Sequence, residues 1–235
     1  MKLLAIDTAT EALSAALWLD GEIIERYAVV TREHAARLPL LVPALMAEAG
    51  LSLRQLDGLV CGIGPGSFAG VRIGVSYVKG LCLGLDRPVI GVTSLAMLAQ
   101  AALAANPEAI ALPAIDARMD EVYFGAYRRV DGRAMAVQGE VVSPAAAVTV
   151  PADGPFVAIG SGWGAHRNAL LGALPEAPQQ LDADAYPHAA AALSLAAEAH
   201  ARGLGQDAST LAPAYLRNRV ALTKIEQQAL RDSRR

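Results

Sequence analysis

The chain is poor in the residues that build self-contained chemical sites. It holds two cysteines in 235 residues, Cys61 and Cys82, 21 positions apart in apolar surroundings. That spacing gives neither a CxxC pair nor a disulfide framework and suits a reducing compartment. Histidine is as scarce: none of His34, His166, His188 and His200 lies three or four residues from another. The i,i+4 imidazole pair that grips a metal on one helix face is therefore absent, and no metal site is expected. No GxSxG elbow and no Walker A frame occur, so no catalytic residue is assigned from motif. Neither charge is in excess, with 20 Lys+Arg against 23 Asp+Glu, a net of −3. Such a balance excludes a protein that coats nucleic acid by neutralising phosphates. Aromatic residues make up only 5%.

Apolar residues are plentiful, at 54% with 18% charged, which excludes intrinsic disorder. At roughly 150 residues per domain, the length fits one large domain or two small ones. Asp7 and Glu11 interrupt the apolar run that starts at Leu3, so no signal peptide is expected. The stretch Leu38 to Ala47 is about half a membrane span and contains Pro39 and Pro43. These features predict a soluble cytoplasmic protein with no membrane contact.

The pattern along the chain repeats. An apolar strand from Lys2 to Ile6 ends at Asp7-Thr8, a second runs from Leu13 to Leu19, and Asp20-Gly21 turns into a third over Glu22 to Val30. Apolar Ile110 to Ile115 ends likewise at Asp116-Ala117-Arg118, a strand follows over Glu121 to Tyr127, and Asp131-Gly132 turns again. Leu59 to Gly62 enters Gly64-Pro65-Gly66-Ser67, and Phe156 to Ile159 enters Gly160-Ser161-Gly162, each ahead of a helical pattern. Two such α/β units predict a duplicated ribonuclease-H-like fold, the actin-like ATPase architecture, with mixed sheets flanked by helices. The halves are expected over 1–100 and 101–216. The second is reduced, because Ser143 to Pro155 leaves little room for the helix that the first half places at Leu38 to Glu48. Residues 217–235 read as a polar basic tail, six basic residues against Glu226 and Asp232.

Two features are candidate sites. Asp7 and Thr8, with Gly64, Gly66 and Ser67, form a weak nucleotide or anion loop, since a glycine-ended strand ahead of a helix exposes backbone N–H groups. The competing reading is a tight turn with Ser67 as N-cap and Asp7 and Thr8 bonded to nearby backbone. The second feature is surplus apolar surface. Leu38, Leu40, Leu41, Val42, Leu45 and Met46 cover nearly every side of their helix. The next helix notches Gly70, Gly74, Gly80 and Gly84 beside Ile73, Tyr77, Val78 and Leu81. A surface helix shows one apolar stripe, and helical glycines cost up to about 1 kcal/mol each relative to alanine. Either both helices simply cover a sheet, or they also meet a partner.

Ile6-Asp7-Thr8-Ala9, the segment from Gly64-Pro65-Gly66-Ser67-Phe68 to Arg72-Ile73-Gly74, Lys79-Gly80-Leu81, Asp116-Ala117-Arg118 with Glu121-Val122-Tyr123, and Pro213-Ala214-Tyr215-Leu216-Arg217 together resemble the TsaB (YeaZ) family. The family usually has Thr where this chain has Ala69. The resemblance implies a non-catalytic accessory subunit for N6-threonylcarbamoyladenosine (t6A) modification of tRNA beside the anticodon. It implies a heterodimer with the catalytic paralogue TsaD through helices of the N-terminal half, joined by TsaE, and a homodimer when alone. No cofactor is expected in the isolated chain, ATP or ADP belonging to the complex, and tRNA contact is expected to be indirect or weak. The rivals are an actin-like small-molecule kinase or ATPase, and an M22-like peptidase.

Overall fold

A computed structural model describes residues 1–152 and 154–217. All but the first residue of the expected basic tail lie outside the described residues. The first half opens with β1 (Lys2–Asp7), β2 (Ala12–Leu19) and β3 (Glu22–Val29), followed by α1 (His34–Glu48), β4 (Gly58–Gly62), α2 (Phe68–Leu85) and β5 (Val89–Val92). After α3 (Ser94–Ala105) come β6 (Ile110–Arg118), β7 (Glu121–Val130), β8 (Arg133–Pro144), β9 (Phe156–Ile159), α4 (Ser161–Ala165), α5 (Arg167–Gly172), β10 (Gln180–Asp182) and α6 (Ala189–Ala201).

The sheets repeat one design. Their strand orders are β3-β2-β1-β4-β5 and β8-β7-β6-β9-β10, each an antiparallel three-strand meander joined by two parallel strands. Both Asp-Gly turns fall where expected. Asp20 and Gly21 have φ of 51° and 111°, and Asp131 and Gly132 have 50° and 80°. Positive φ at both central residues suits a two-residue hairpin to the right-handed strand twist. Central β1 is almost wholly buried, as a strand covered on both faces must be. The duplicated fold is therefore present. Its second half is the lesser one, with only a 3₁₀ turn (Ala145–Ala147) between β8 and β9, and with α4 and α5 where the first half has the single α2.

The helices exchange halves. Helices α1 and α2 cover one face of the first sheet. Its other face, carrying Leu3, Ala5, Ala16 and Val60, is covered by α6, the last of these helices, through Ala189, Ala192, Leu193 and Ala196. Helix α3 instead lies on the second sheet, its Leu95, Leu98 and Leu103 meeting Ala111, Tyr127 and Val157. Trp163 of α4 and Leu170 of α5 close the far face of that sheet. Helices α3 and α6 thus pack side by side in the middle. The division expected at residue 100 falls inside α3, and the last helix of the second half belongs spatially to the first. Helix α1 also begins four residues earlier than expected, with buried His34 bonded through Nε2 to the Ala12 carbonyl (3.2 Å).

Candidate functional site: the interlobe cleft and the outer helix face

The first hairpin loop and the start of α2 interlock. Thr8 Oγ1 donates to the Gly70 carbonyl (2.7 Å), the Ser67 N–H donates to the Ala9 carbonyl (2.6 Å), and Ser67 Oγ caps α2 by accepting from the Gly70 N–H (3.3 Å). Four glycines four residues apart make this possible. A Cβ on Gly62 would strike the Asp7 carboxyl, and on Gly66 the Ala9 carbonyl. On Gly70 it would strike the Thr8 carbonyl, and on Gly74 it would lie 2.5 Å from Thr8 Oγ1.

This geometry corrects the anion-loop expectation. Thr8 Oγ1 and the Ser67 N–H and Oγ, expected to face a phosphate, are bonded to nearby backbone instead, as the tight-turn reading has it. Gly64, at φ 86°, turns the chain beneath Val71. Asp7 is wholly buried, with one carboxyl oxygen bonded to the Ala9 N–H (3.2 Å) and the other without a partner among the described residues. Burial pushes its pKa from 3.8 up to about 7, against lowering by the Ala9 N–H and the nearby His188 charge.

The interface expectation is corrected in part. Leu38, Val42, Leu45, Met46 and Val78 are buried in the core beneath α1 and α2, and Gly70 and Gly74 are buried against Thr8. These seven residues are consumed by the chain's own fold. Leu41, Ile73, Tyr77 and Leu81 remain half-buried at the outer edge of that core. Beside them stand Leu40 and Leu83, exposed at 73% and 72%. A Cβ on Gly80 or Gly84 would meet nothing within 4 Å. The outward face is thus low, apolar and short of charge. Its signal was in the sequence, because Leu40 and Leu83 fall out of helical step with the buried set.

Between the halves runs a cleft of about 750 Å³, walled by Ala9–Glu11, Val30–Arg32, the start of α2, and Ile115–Arg118 with Ser161 and Tyr186. Asp116 occupies the position in its hairpin that Asp7 holds in the first, yet opens to this cleft. Its carboxylate meets the Arg118 guanidinium (3.1 Å) and His166 Nε2 (3.3 Å), and Ser161 Oγ accepts from its backbone N–H (3.3 Å). Sequence reasoning missed His166 and Ser161 as partners of Asp116, although the repeat had already paired that position with Asp7. The adjoining turn holds Arg118, Met119 and Asp120 at φ of 63°, 58° and 60°. Three successive non-glycine residues there cost on the order of 1–3 kcal/mol each. Arg217 braces the turn, donating to the Ala117 carbonyl (2.9 Å) and pairing with Glu121 (2.6 Å).

No group of three His, Cys, Asp or Glu able to hold a metal occurs among the described residues. Both thiols are buried, and burial pushes Cys61 far up and Cys82 up to about 11.

Comparison with known proteins follows this architecture. The family model described as TsaD, tRNA N6-adenosine threonylcarbamoyltransferase, matches residues 27–224. The tRNA threonylcarbamoyladenosine biosynthesis protein TsaB of Escherichia coli is 38% identical over 96% of this chain and 98% of its own. Its namesake from Haemophilus influenzae is 34% identical over 96% and 97%. The solved structure of YeaZ from Pseudomonas aeruginosa superposes with a TM-score of 0.85 at 44% identity, covering 92% of this chain and 99% of that one. With whole-chain likeness in sequence and in fold, this chain belongs to the TsaB (YeaZ) family within the wider TsaD group.

Proposed function

We propose that this chain serves threonylcarbamoyladenosine formation on tRNA as a non-catalytic binding subunit, docking on TsaD through the outer faces of α1 and α2. One observation carries the reading: that outer face has Leu40 and Leu83 largely exposed beside two glycines with open space above them. Fully covering a leucine is worth about 1.5–3 kcal/mol, so the exposed pair favours a covered state. Bare glycines let a second helix approach closely. Leu41, Ile73, Tyr77 and Leu81 border the same surface. The partner is TsaD in the working complex, with TsaE joining it, or a second copy of this chain when TsaD is lacking. Work by binding also fits the loop around Thr8, which the chain's own groups fill.

Gly80→Leu tests the reading. With nothing within 4 Å of its new Cβ, the variant keeps the fold. It gains up to about 1 kcal/mol of helix preference while blocking close approach. Its melting temperature should equal or exceed that of the natural protein, while co-elution with TsaD and self-association are lost. A variant that still co-elutes with TsaD at natural strength removes the α1–α2 face from the interface.

A further inference from the structure

Beyond the docking face, on the flank of α2 turned from Tyr77, lies a cavity of about 500 Å³ that no part of the proposed function uses. Its walls come from three places: Phe68 and Arg72 of α2, Arg118 and Tyr123 of the β6–β7 hairpin, and the segment Pro213–Arg217. Three arginines line it, and no aspartate or glutamate does. Two of the three are already neutralised, Arg118 by Asp116 (3.1 Å) and Arg217 by Glu121 (2.6 Å). Arg72 is not. Among the described residues its guanidinium donates only to the Phe68 carbonyl (3.1 Å). It lies over the Phe68 ring at 3.3 Å and within 5.3 Å of the Tyr215 ring. A half-buried cation stacked on aromatic carbon, with no carboxylate beside it among the described residues, is poised to take an anion along its N–H edge. Both rings remain more than half exposed, so they offer flat apolar surface beside that charge.

We infer that this cavity binds a small molecule carrying one carboxylate or phosphate on a flat apolar body. The anionic group sits at Arg72, and the body lies against Tyr215 and Phe68. The volume matches sites for such ligands, which are mostly apolar with a few convergent polar groups. One unmatched cation answers a single anionic group but not the repeating charge of a nucleic-acid strand, which needs a track of cations. Because both halves and the C-terminal segment contribute walls, an occupant is gripped by the two halves together.

Calorimetric titration of the full chain with 2-naphthyl phosphate, 2-naphthoate and neutral 2-naphthol tests the site. One or both anions should bind saturably at one site, and the tighter of the two identifies the head group. Naphthol should bind at least about tenfold more weakly, and Arg72→Gln should cost the anion about tenfold or more at unchanged melting temperature. Tyr215→Ala, at an exposed ring, should weaken all three probes and decides the matter should the arginine variant misfold. Absence of saturable anion binding in the millimolar range overturns the site, as does equal affinity in both variants. Displacement of the probe by a short single-stranded RNA at lower concentration than by a mononucleotide would assign the surface to RNA instead. None of these outcomes depends on TsaD, so failure here leaves the docking face untouched, and failure there leaves this cavity untouched.

Discussion

Asp7 and Asp116 close equivalent strands in the two halves, yet their surroundings give them opposite characters. Asp116 meets Arg118 and His166 at the cleft. Asp7 lies against Gly62 with one oxygen unpartnered among the described residues. A carboxyl pushed from 3.8 up to about 7 holds its proton more tightly in the folded than in the unfolded chain. Its contribution to stability is therefore complete below pH 3.8 and declines as pH rises toward 7, by at most about 1.4 kcal/mol per pH unit. Subtracting the stability profile of Asp7→Asn from that of the natural protein should show this decline between pH 4 and 7 and a plateau above. A level difference would mean that Asp7 is solvated. The residue types at this loop were legible in the sequence, but their use was not. Gly66 read as room for phosphate or as part of a tight turn, and Gly70 and Gly74 as room for a partner helix. Only the fold shows that the neighbour pressed against them is the Asp7–Ala9 loop of the same chain.

At the scale of elements, the N-terminus of α6 is fastened by a polar clasp. His188 Nδ1 meets Glu25 Oε2 at 3.0 Å, and the His188 ring stacks on Tyr27 with centroids 4.2 Å apart. Glu25 also accepts from Ser14 Oγ (2.7 Å) and the Ala190 N–H (3.1 Å). Although burial alone would raise Glu25, these donors hold it below its ordinary 4.5. The bond to Glu25 outweighs burial and raises His188 above 6.5. The histidine's contribution is complete below pH 6.5 and fades as pH climbs through its folded value. That of the glutamate is complete above pH 4.5 and fades as pH falls through its own. Hydrogen exchange at the first turn of α6 should accordingly speed up, beyond the intrinsic base-catalysed trend, once pH passes His188's raised value. In His188→Gln that extra acceleration should vanish; its persistence would place the opening elsewhere. The strands and Asp-Gly hairpins behind this clasp were readable from alternation and turn chemistry. Its pairing of residues 163 positions apart was not, because no local pattern encodes so distant a contact. Helices α1 and α2 were legible as elements, but the apolar surplus blurred which face each one buries.

For the whole molecule, the repeat was visible in sequence through twin Asp-Gly turns and twin strand-to-glycine loops, while the exchange of α3 and α6 left no local trace. That exchange predicts that the halves do not stand alone. A fragment of residues 1–106 lacks α6, so Leu3, Ala5, Ala16 and Val60 lose their cover. It should bind a hydrophobic dye and lack a sharp melting transition, and adding the fragment 107–235 should restore both properties. A cooperative melt from 1–106 alone would show that α6 is dispensable to the first sheet.

The same cross-packing dictates the order in which the molecule can be made. The strands of the first sheet leave the ribosome well before the helix that shields them, which is synthesised after nearly every other described element. Then Gln206 bridges Val89 at the edge of the first sheet, and the Ala214 N–H closes onto Ile63. The first sheet must therefore wait, greasy side bare, until α6 has been made. That bare side is the surface a chaperone or the ribosome would have to shelter during the interval.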